Sequence, residues 1–152
     1  MPKKFKFKLE GLLKVREFKE KKIKIELGEL LKEMNDVEDR IRVLKDEIAQ
    51  TYEAQEAFVA EPAAGRMIQF FPAFIEAKNN DIKNNENLLY SLKRKYDEKV
   101  QEMSKAKGDV KIMENFKEKK KTEHYKEIEK KLLEAIEEHT MAKKFREKGE
   151  NL

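Results

Sequence analysis

The chain has 152 residues, of which 43% are charged and 39% are hydrophobic, and it contains no Cys and no Trp. This charged fraction is nearly double the roughly 25% of ordinary globular proteins, which disfavours a large spherical core and most enzyme folds and indicates an elongated helical protein. Opposite charges nearly cancel to a formal +4 and are interspersed, which argues against a nucleic-acid partner or a membrane-surface patch, while the lack of Cys excludes disulfides and thiolate sites.

The first predicted element is a helix over about residues 9–57, which contains no Pro. Its apolar residues are spaced alternately by three and four positions, the a/d pattern of a coiled coil. They are Leu27, Leu30, Met34, Val37, Ile41, Leu44 and Ile48. The same phase meets Glu20 and Arg16 towards the N-terminus, so the stripe is predicted to be polar there.

A loop is predicted over about residues 58–73, where charge thins and Pro62, Gly65 and Pro72 cluster. Phe70, Phe71 and Phe74, with Met67 and Ile68, place apolar side chains at this end of the hairpin. Two interpretations remain open, because these side chains either fold back to cap the hairpin or form a protein-docking patch.

A second, longer helix is predicted over about residues 74–147, with a short C-terminal tail. Its stripe is Leu89, Leu92, Tyr96, Val100, Met103, Val110, Met113 and Phe116, then Ile128, Leu132, Ala135, His139, Ala142 and Phe145. A short loop between two long helices predicts an all-α, antiparallel coiled-coil hairpin that forms one domain over 1–152. The second helix then extends beyond the first by about 30 Å, at 1.5 Å per residue. This unpaired stretch carries apolar residues and is expected to bind a partner.

Gly28 and Gly108 face each other in this folding scheme, although each should cost its helix about 0.5–1 kcal/mol relative to Ala. One hypothesis is a shared site of close helix approach or bending. The alternative is that two isolated glycines are tolerated by chance.

The sequence offers no catalytic, cofactor or metal site. A di-iron helical site needs Glu three residues before each His, and Lys121 and Ile136 occupy those positions before His124 and His139. No P-loop or nucleophile motif surrounds the hydroxyl residues. The run Lys119–Lys121 is flanked by Glu118 and Glu123, which favours a solvated face over a phosphate site. The protein is therefore expected not to be an enzyme and to act by contact.

The N-terminal pattern Phe5-Lys-Phe7-Lys-Leu9, followed by Leu12, Leu13, Arg16 and Glu20, resembles the opening of the FliJ family, a coiled-coil protein of the bacterial flagellar export apparatus. The C-terminal stretch from Glu129 to Glu138, then Phe145-Arg146, is similar to the family's ending, with Glu137 where an Asp is usual. Chain length, the absence of Cys and the two-helix layout agree with this resemblance.

The resemblance implies a stalk similar to the gamma subunit of rotary ATP synthases, which inserts into the hexameric export ATPase FliI and contacts the export-gate protein FlhA. It implies a cytoplasmic location, at the cytoplasmic face of the inner membrane at the flagellar base, without membrane insertion, and leaves export chaperones as candidate partners. Gate contacts are expected at Tyr52 and Phe74, with Phe70 and Phe71 nearby. The next expected apolar positions fall on Lys78 and Asp81, which departs from the family pattern.

The end bearing both termini is expected to enter the ATPase ring. Candidates for polar ring contacts are Arg16, Glu20, Lys143, Lys144 and Arg146, and candidates for an apolar bearing are Phe5, Phe7, Leu9 and Phe145. Three alternatives remain, namely a stalk protein of a virulence-type secretion system, a holdase or adaptor like prefoldin, and a nucleic-acid-binding arm. The absence of an alternating strand pattern argues against prefoldin, and the interspersed acidic residues argue against the arm.

Overall fold

The computed structural model describes residues 3–59, 65 and 68–150 and contains two α-helices, α1 (Glu10–Val59) and α2 (Phe70–Glu150). The chain forms two compact units, a central unit (Lys21–Lys105) and a terminal unit (Met1–Glu20 with Ala106–Leu152). Within each unit, a segment of α1 packs antiparallel to a segment of α2. The predicted all-α, antiparallel coiled-coil pairing with a longer second helix is confirmed. The assignment of one domain stays a prediction.

Both helices begin close to where local chemistry favours a start. At α1, the amide of Leu13 donates to the carbonyl of Leu9 at 3.0 Å, and Glu10 places a carboxylate in the first turn, where the helix dipole favours it. At α2, the helix begins at Phe70, four residues before the predicted start. Pro72 is tolerated there because first-turn amides have no partner within the helix. Pro62 and Met67 of the predicted loop lie outside the described residues.

The core of the central unit forms where the two stripes meet. Val37, Ile41, Ile82 and Leu92 are buried, and Val37 is fully enclosed. Five half-buried residues pack against this cluster: Leu30, Met34, Leu44, Ile48 and Leu89. The predicted stripe of α1 therefore faces α2, with alternate spacings of three and four residues as coiled-coil packing requires.

The predicted stripe of α2 is wrong at Val100, which is 44% exposed. Lys99 occupies the inward position instead, and its ammonium lies 2.6 Å from Glu26 and 3.0 Å from Glu102. A lysine can take such a position because its aliphatic stem packs against apolar neighbours while its charged end reaches the edge of the interface. Ala106, also absent from the predicted stripe, is buried.

The terminal unit has a smaller core, formed by Leu13 on α1 and by Val110 and Met113 on α2, with Phe7 packed against it. The predicted polar positions lie at this interface. Arg16 is partly buried and donates to the carbonyl of Asp109 at 3.1 Å, and Glu20 is half-buried. From Glu129 to Glu150 every residue of α2 is exposed; we call this segment the overhang.

The hypothesis of close helix approach at the two glycines is wrong. A Cβ atom added to Gly28 or to Gly108 would meet nothing within 4 Å, and neither residue has a positive φ. Both positions are exposed. Neither packing nor backbone conformation therefore requires glycine at these positions.

Candidate interaction surfaces

The N-terminal segment, residues 3–9, lies against α2 of the terminal unit. The ring of Phe7 lies 5.9 Å from that of Phe116, and the ring of Phe5 lies 5.6 Å from that of His124. Nε2 of His124 lies 2.9 Å from the carbonyl oxygen of Lys3, and because a carbonyl only accepts, the ring nitrogen donates. Two aromatic contacts and one hydrogen bond thus hold this segment on α2.

Lysines alternate with the aromatic residues of this segment and point to solvent. Lys3, Lys4, Lys6 and Lys8 are all exposed, whereas Phe5 and Phe7 are half-buried. Along residues 4–8 the exposed lysines alternate with the two half-buried aromatic residues, so the two residue types differ in burial. None of the four lysines forms an ion pair with a described residue. Leu9, 40% exposed, and Phe116 line an open groove along this segment, which Glu123 and Glu127 also border.

The predicted ring-contact residues all belong to the terminal unit, but they differ in accessibility. Phe5 and Phe7 are half-buried against α2, and Leu9 is 40% exposed. Phe145 is 81% exposed, and Lys143, Lys144 and Arg146 are exposed on the overhang. Their role as ring contacts stays a prediction.

The predicted gate-contact residues belong to the central unit, and the aromatic side chains of this cluster differ in exposure. Phe71 packs against Phe58, with ring centroids 5.8 Å apart, and so covers the adjoining helix. Phe70, 74% exposed, and Phe74 and Tyr52 present their rings to solvent. A shallow groove lined by Thr51, Ala54, Phe70, Phe71 and Phe74 lies between the helices.

Lys78, which departs from the apolar pattern of the family, has a structural role beside this groove. Its ammonium lies 2.5 Å from a buried carboxylate oxygen of Glu47 and 5.1 Å from the centre of the Phe74 ring. The cation therefore neutralises Glu47 and holds one face of Phe74 by a cation–π contact. The rest of the exposed surface of the Phe74 ring is accessible to a partner.

A second cross-helix ion pair, between Glu26 and Lys99, changes the pKa of both residues. The hydrogen bond and charge of Lys99 lower the pKa of Glu26 from its ordinary value of 4.5, against a smaller effect of burial. The hydrogen bonds that the Lys99 ammonium donates to Glu26 and Glu102 raise the pKa of Lys99 from its ordinary value of 10.5. Both groups are therefore charged at neutral pH, and they link α1 to α2.

The described residues carry no candidate metal site and no candidate membrane span. No group of three or more His, Cys, Asp or Glu side chains among them is arranged to hold a metal ion. Neither helix, over its described length, contains a stretch long and apolar enough to cross a membrane.

One comparison with known proteins decides the family. The model of the family described as flagellar FliJ protein matches residues 5–147. The chain belongs to the FliJ family. This membership makes it a component of the flagellar protein export machinery, in a family that is non-catalytic. No match was found among curated proteins or among solved structures.

Four residues that build these surfaces in this FliJ protein were missed from the sequence: Phe116 and His124 as contacts of the N-terminal segment, and Glu47 and Lys78 beside Phe74. The alternation of Lys and Phe over residues 4–9 signals an extended segment with one apolar side. It does not indicate which part of α2 that side covers. Glu47 and Lys78 carry no local signal, because charged residues are frequent throughout the chain.

Proposed function

We propose that this FliJ protein is the stalk of the flagellar export ATPase. The terminal unit enters the hexameric ring of FliI and stimulates ATP hydrolysis, and the central unit binds the export gate protein FlhA at the cytoplasmic face of the inner membrane. The observation that carries the proposal is the overhang, in which α2 continues from Glu129 to Glu150 with exposed side chains, within a chain of the FliJ family.

The proposed mechanism is allosteric, and no bond is made or broken by this chain. A single helical stalk inside a ring of identical subunits presents a different face to each of them. It can bias their conformations only by contacts whose free energy differs between conformations. Lys143, Lys144 and Arg146 on the overhang offer charged contacts of this kind, and Phe145 offers an apolar one.

The decisive experiment is steady-state ATP hydrolysis by FliI, with this protein titrated in and ring assembly followed by mass photometry. We expect stimulation that saturates near one chain per hexamer, because one stalk occupies one symmetry axis. Removal of residues 143–152 is expected to reduce stimulation strongly while the melting temperature is retained. Stimulation that survives this removal unchanged would contradict the proposed ring contact.

The gate contact is tested separately with the cytoplasmic domain of FlhA. Phe74→Ala and Tyr52→Ala are expected to weaken binding about fivefold or more each, the loss typical of a central aromatic contact. Tyr90→Ala is a matched control, because Tyr90 is an aromatic residue of the central unit that is 71% exposed and was not assigned to the gate surface. Equal losses in all three variants would argue against a specific gate surface at Phe74.

A further inference from the structure

Positive charge is concentrated in the terminal unit. Lys and Arg number 20 there against 14 Asp and Glu, whereas the central unit has 15 against 17. The largest local excess is in residues 3–8, which contain four lysines and no acidic residue. This distribution differs from the even interspersion that the chain shows as a whole.

In the N-terminal segment the aromatic side chains contact α2, and the lysine side chains are exposed to solvent. Phe5 packs against His124 and Phe7 against Phe116, whereas the four lysines of the segment are exposed. Beside them runs an open groove of about 1110 Å³, which is larger than the roughly 300–1,000 Å³ of a typical small-molecule pocket. Its apolar part includes Leu9 and Phe116, both of which keep more than a third of their surface exposed.

We propose that this groove binds an acidic segment of a protein partner, with an apolar side chain on Leu9 and Phe116 and carboxylates on the lysine row. The inference rests on the proposed function, because the partner it names is an acidic, partly apolar surface segment of the export ATPase. An apolar centre with a charged rim is the usual anatomy of a protein–protein contact.

The remaining charges at the groove favour a protein over a phosphate-rich ligand. Glu123 and Glu127 also line the groove, and Glu123 already pairs with Lys120 at 3.5 Å. A phosphate chain or a flat anionic membrane carries negative charge everywhere and would meet these carboxylates. A folded segment can present acidic residues on one side only. It can therefore pair with the lysine row without placing negative charge against Glu123 and Glu127.

The test uses the full chain with a charge-reversed lysine row, K4E/K6E/K8E. The matched control, K83E/K93E/K105E, makes the same change in net charge at three exposed lysines of the central unit that form no ion pair with a described residue. Binding to FliI is measured by biolayer interferometry at about 50 and about 300 mM NaCl, concentrations at which exposed charges are weakly and strongly screened. Circular dichroism melts verify that both variants fold.

We expect K4E/K6E/K8E to weaken binding on the order of tenfold at low salt, mostly through slower association, and the difference from wild type to shrink at high salt. The control is expected to bind within about twofold of wild type. Unchanged binding of K4E/K6E/K8E beside a wild type that binds FliI would overturn this inference and leave the proposed function intact. A wild type that does not bind FliI would overturn both.

A parallel measurement with phosphatidylglycerol vesicles and with duplex DNA distinguishes other ligands. Little retention of the wild type on either probe is the expected result. If the triple substitution abolishes vesicle or DNA binding but leaves FliI binding unchanged, the lysine row recognises phosphate and the inference is wrong.

Discussion

Phe7 connects the N-terminal segment to the small core of the terminal unit. Its ring packs against Phe116 and against the cluster of Leu13, Val110 and Met113. This core has few members, so each contributes a large share of its buried apolar area. The position of the exposed lysine row depends on that contact, because no described ion pair holds the lysines themselves.

We therefore expect Phe7→Ala to destabilise the terminal unit by about 1–2 kcal/mol, less than full burial of a Phe would give because the ring is half-buried. Hydrogen exchange measured by mass spectrometry should show faster exchange over residues 10–20 and 106–117. Phe145→Ala removes the same side chain at a position that is 81% exposed and should change stability by less than about 0.5 kcal/mol. Equal effects of the two substitutions would show that the packing at Phe7 contributes little.

Gly28 and Gly108 give a second prediction at the residue scale. Each is exposed within a helix and has open space where a Cβ would lie. We expect Gly28→Ala and Gly108→Ala each to stabilise the protein by about 0.5–1 kcal/mol, because alanine restricts the unfolded chain and favours helix. Thermal melts should rise by about 2–4 °C per kcal/mol for a chain of this size. A lowered melting temperature would instead support a role for glycine at that position.

At the scale of the helices, charge pairs specify which helix packs against which. In three cross-helix pairs the carboxylate lies on α1 and the ammonium on α2: Glu10 with Lys117, Glu26 with Lys99, and Glu47 with Lys78. If α1 packed against another copy of α1 through this stripe, these three carboxylates would lose their ammonium partners on α2. The pairs therefore favour pairing of α1 with α2 over self-association, a selectivity that charges at coiled-coil edges commonly provide.

The Glu26–Lys99 pair predicts how stability depends on pH. Because the pKa of Glu26 is lowered on folding, this carboxylate adds to the free energy of unfolding above pH 4.5. That stabilisation is lost as pH falls through the folded-state pKa. Because the pKa of Lys99 is raised on folding, this ammonium adds to the free energy of unfolding below pH 10.5. That stabilisation is lost as pH rises through the folded-state pKa. A double-mutant cycle with Glu26→Gln and Lys99→Met should show favourable coupling at neutral pH.

The coupling should disappear in acid, below the lowered pKa of Glu26, where the carboxylate is protonated. The cycle is measured by urea denaturation at pH 7 and again in acid. The same cycle at Arg42 and Asp39, an exposed pair within α1, should give a smaller coupling, since both side chains are largely solvated. Coupling at Glu26 and Lys99 that persists unchanged in acid would exclude an ionic origin.

The helices were predictable because most positions at their interface are apolar. The spacing from Leu27 to Ile48 predicts the buried side of α1 fully, whereas the prediction for α2 failed at Val100 because a lysine occupies the neighbouring inward position. Counting apolar residues cannot detect such a lysine. The contacts of the N-terminal segment were not predictable either, since its alternation reveals an apolar side without revealing which residues of α2 it covers.

At the scale of the whole molecule, buried contacts are distributed unevenly along the chain. The core cluster of the central unit has four buried residues with five half-buried neighbours, and the core cluster of the terminal unit has three buried residues with Phe7. The overhang is exposed from Glu129 onwards, so its helix depends on local propensity alone. In proteins most helical stability comes from tertiary packing rather than from propensity. Local stability should therefore decrease from the central unit to the terminal unit to the overhang.

Hydrogen exchange on the full chain tests this order. Amides around Val37 to Leu44 and Ile82 to Leu92 should exchange slowest, those of residues 106–117 at an intermediate rate, and those of the overhang fastest. Truncation after Ile128 should leave the melting temperature nearly unchanged, whereas truncation after Asp109, which removes Val110 and Met113, should lower it clearly.

If the proposed ring contact is correct, adding FliI should slow exchange most in the overhang, because a partner supplies there the burial that the chain itself lacks. Uniform exchange along α2 in the free protein would contradict the order, and unchanged exchange of the overhang with bound FliI would place the contact elsewhere.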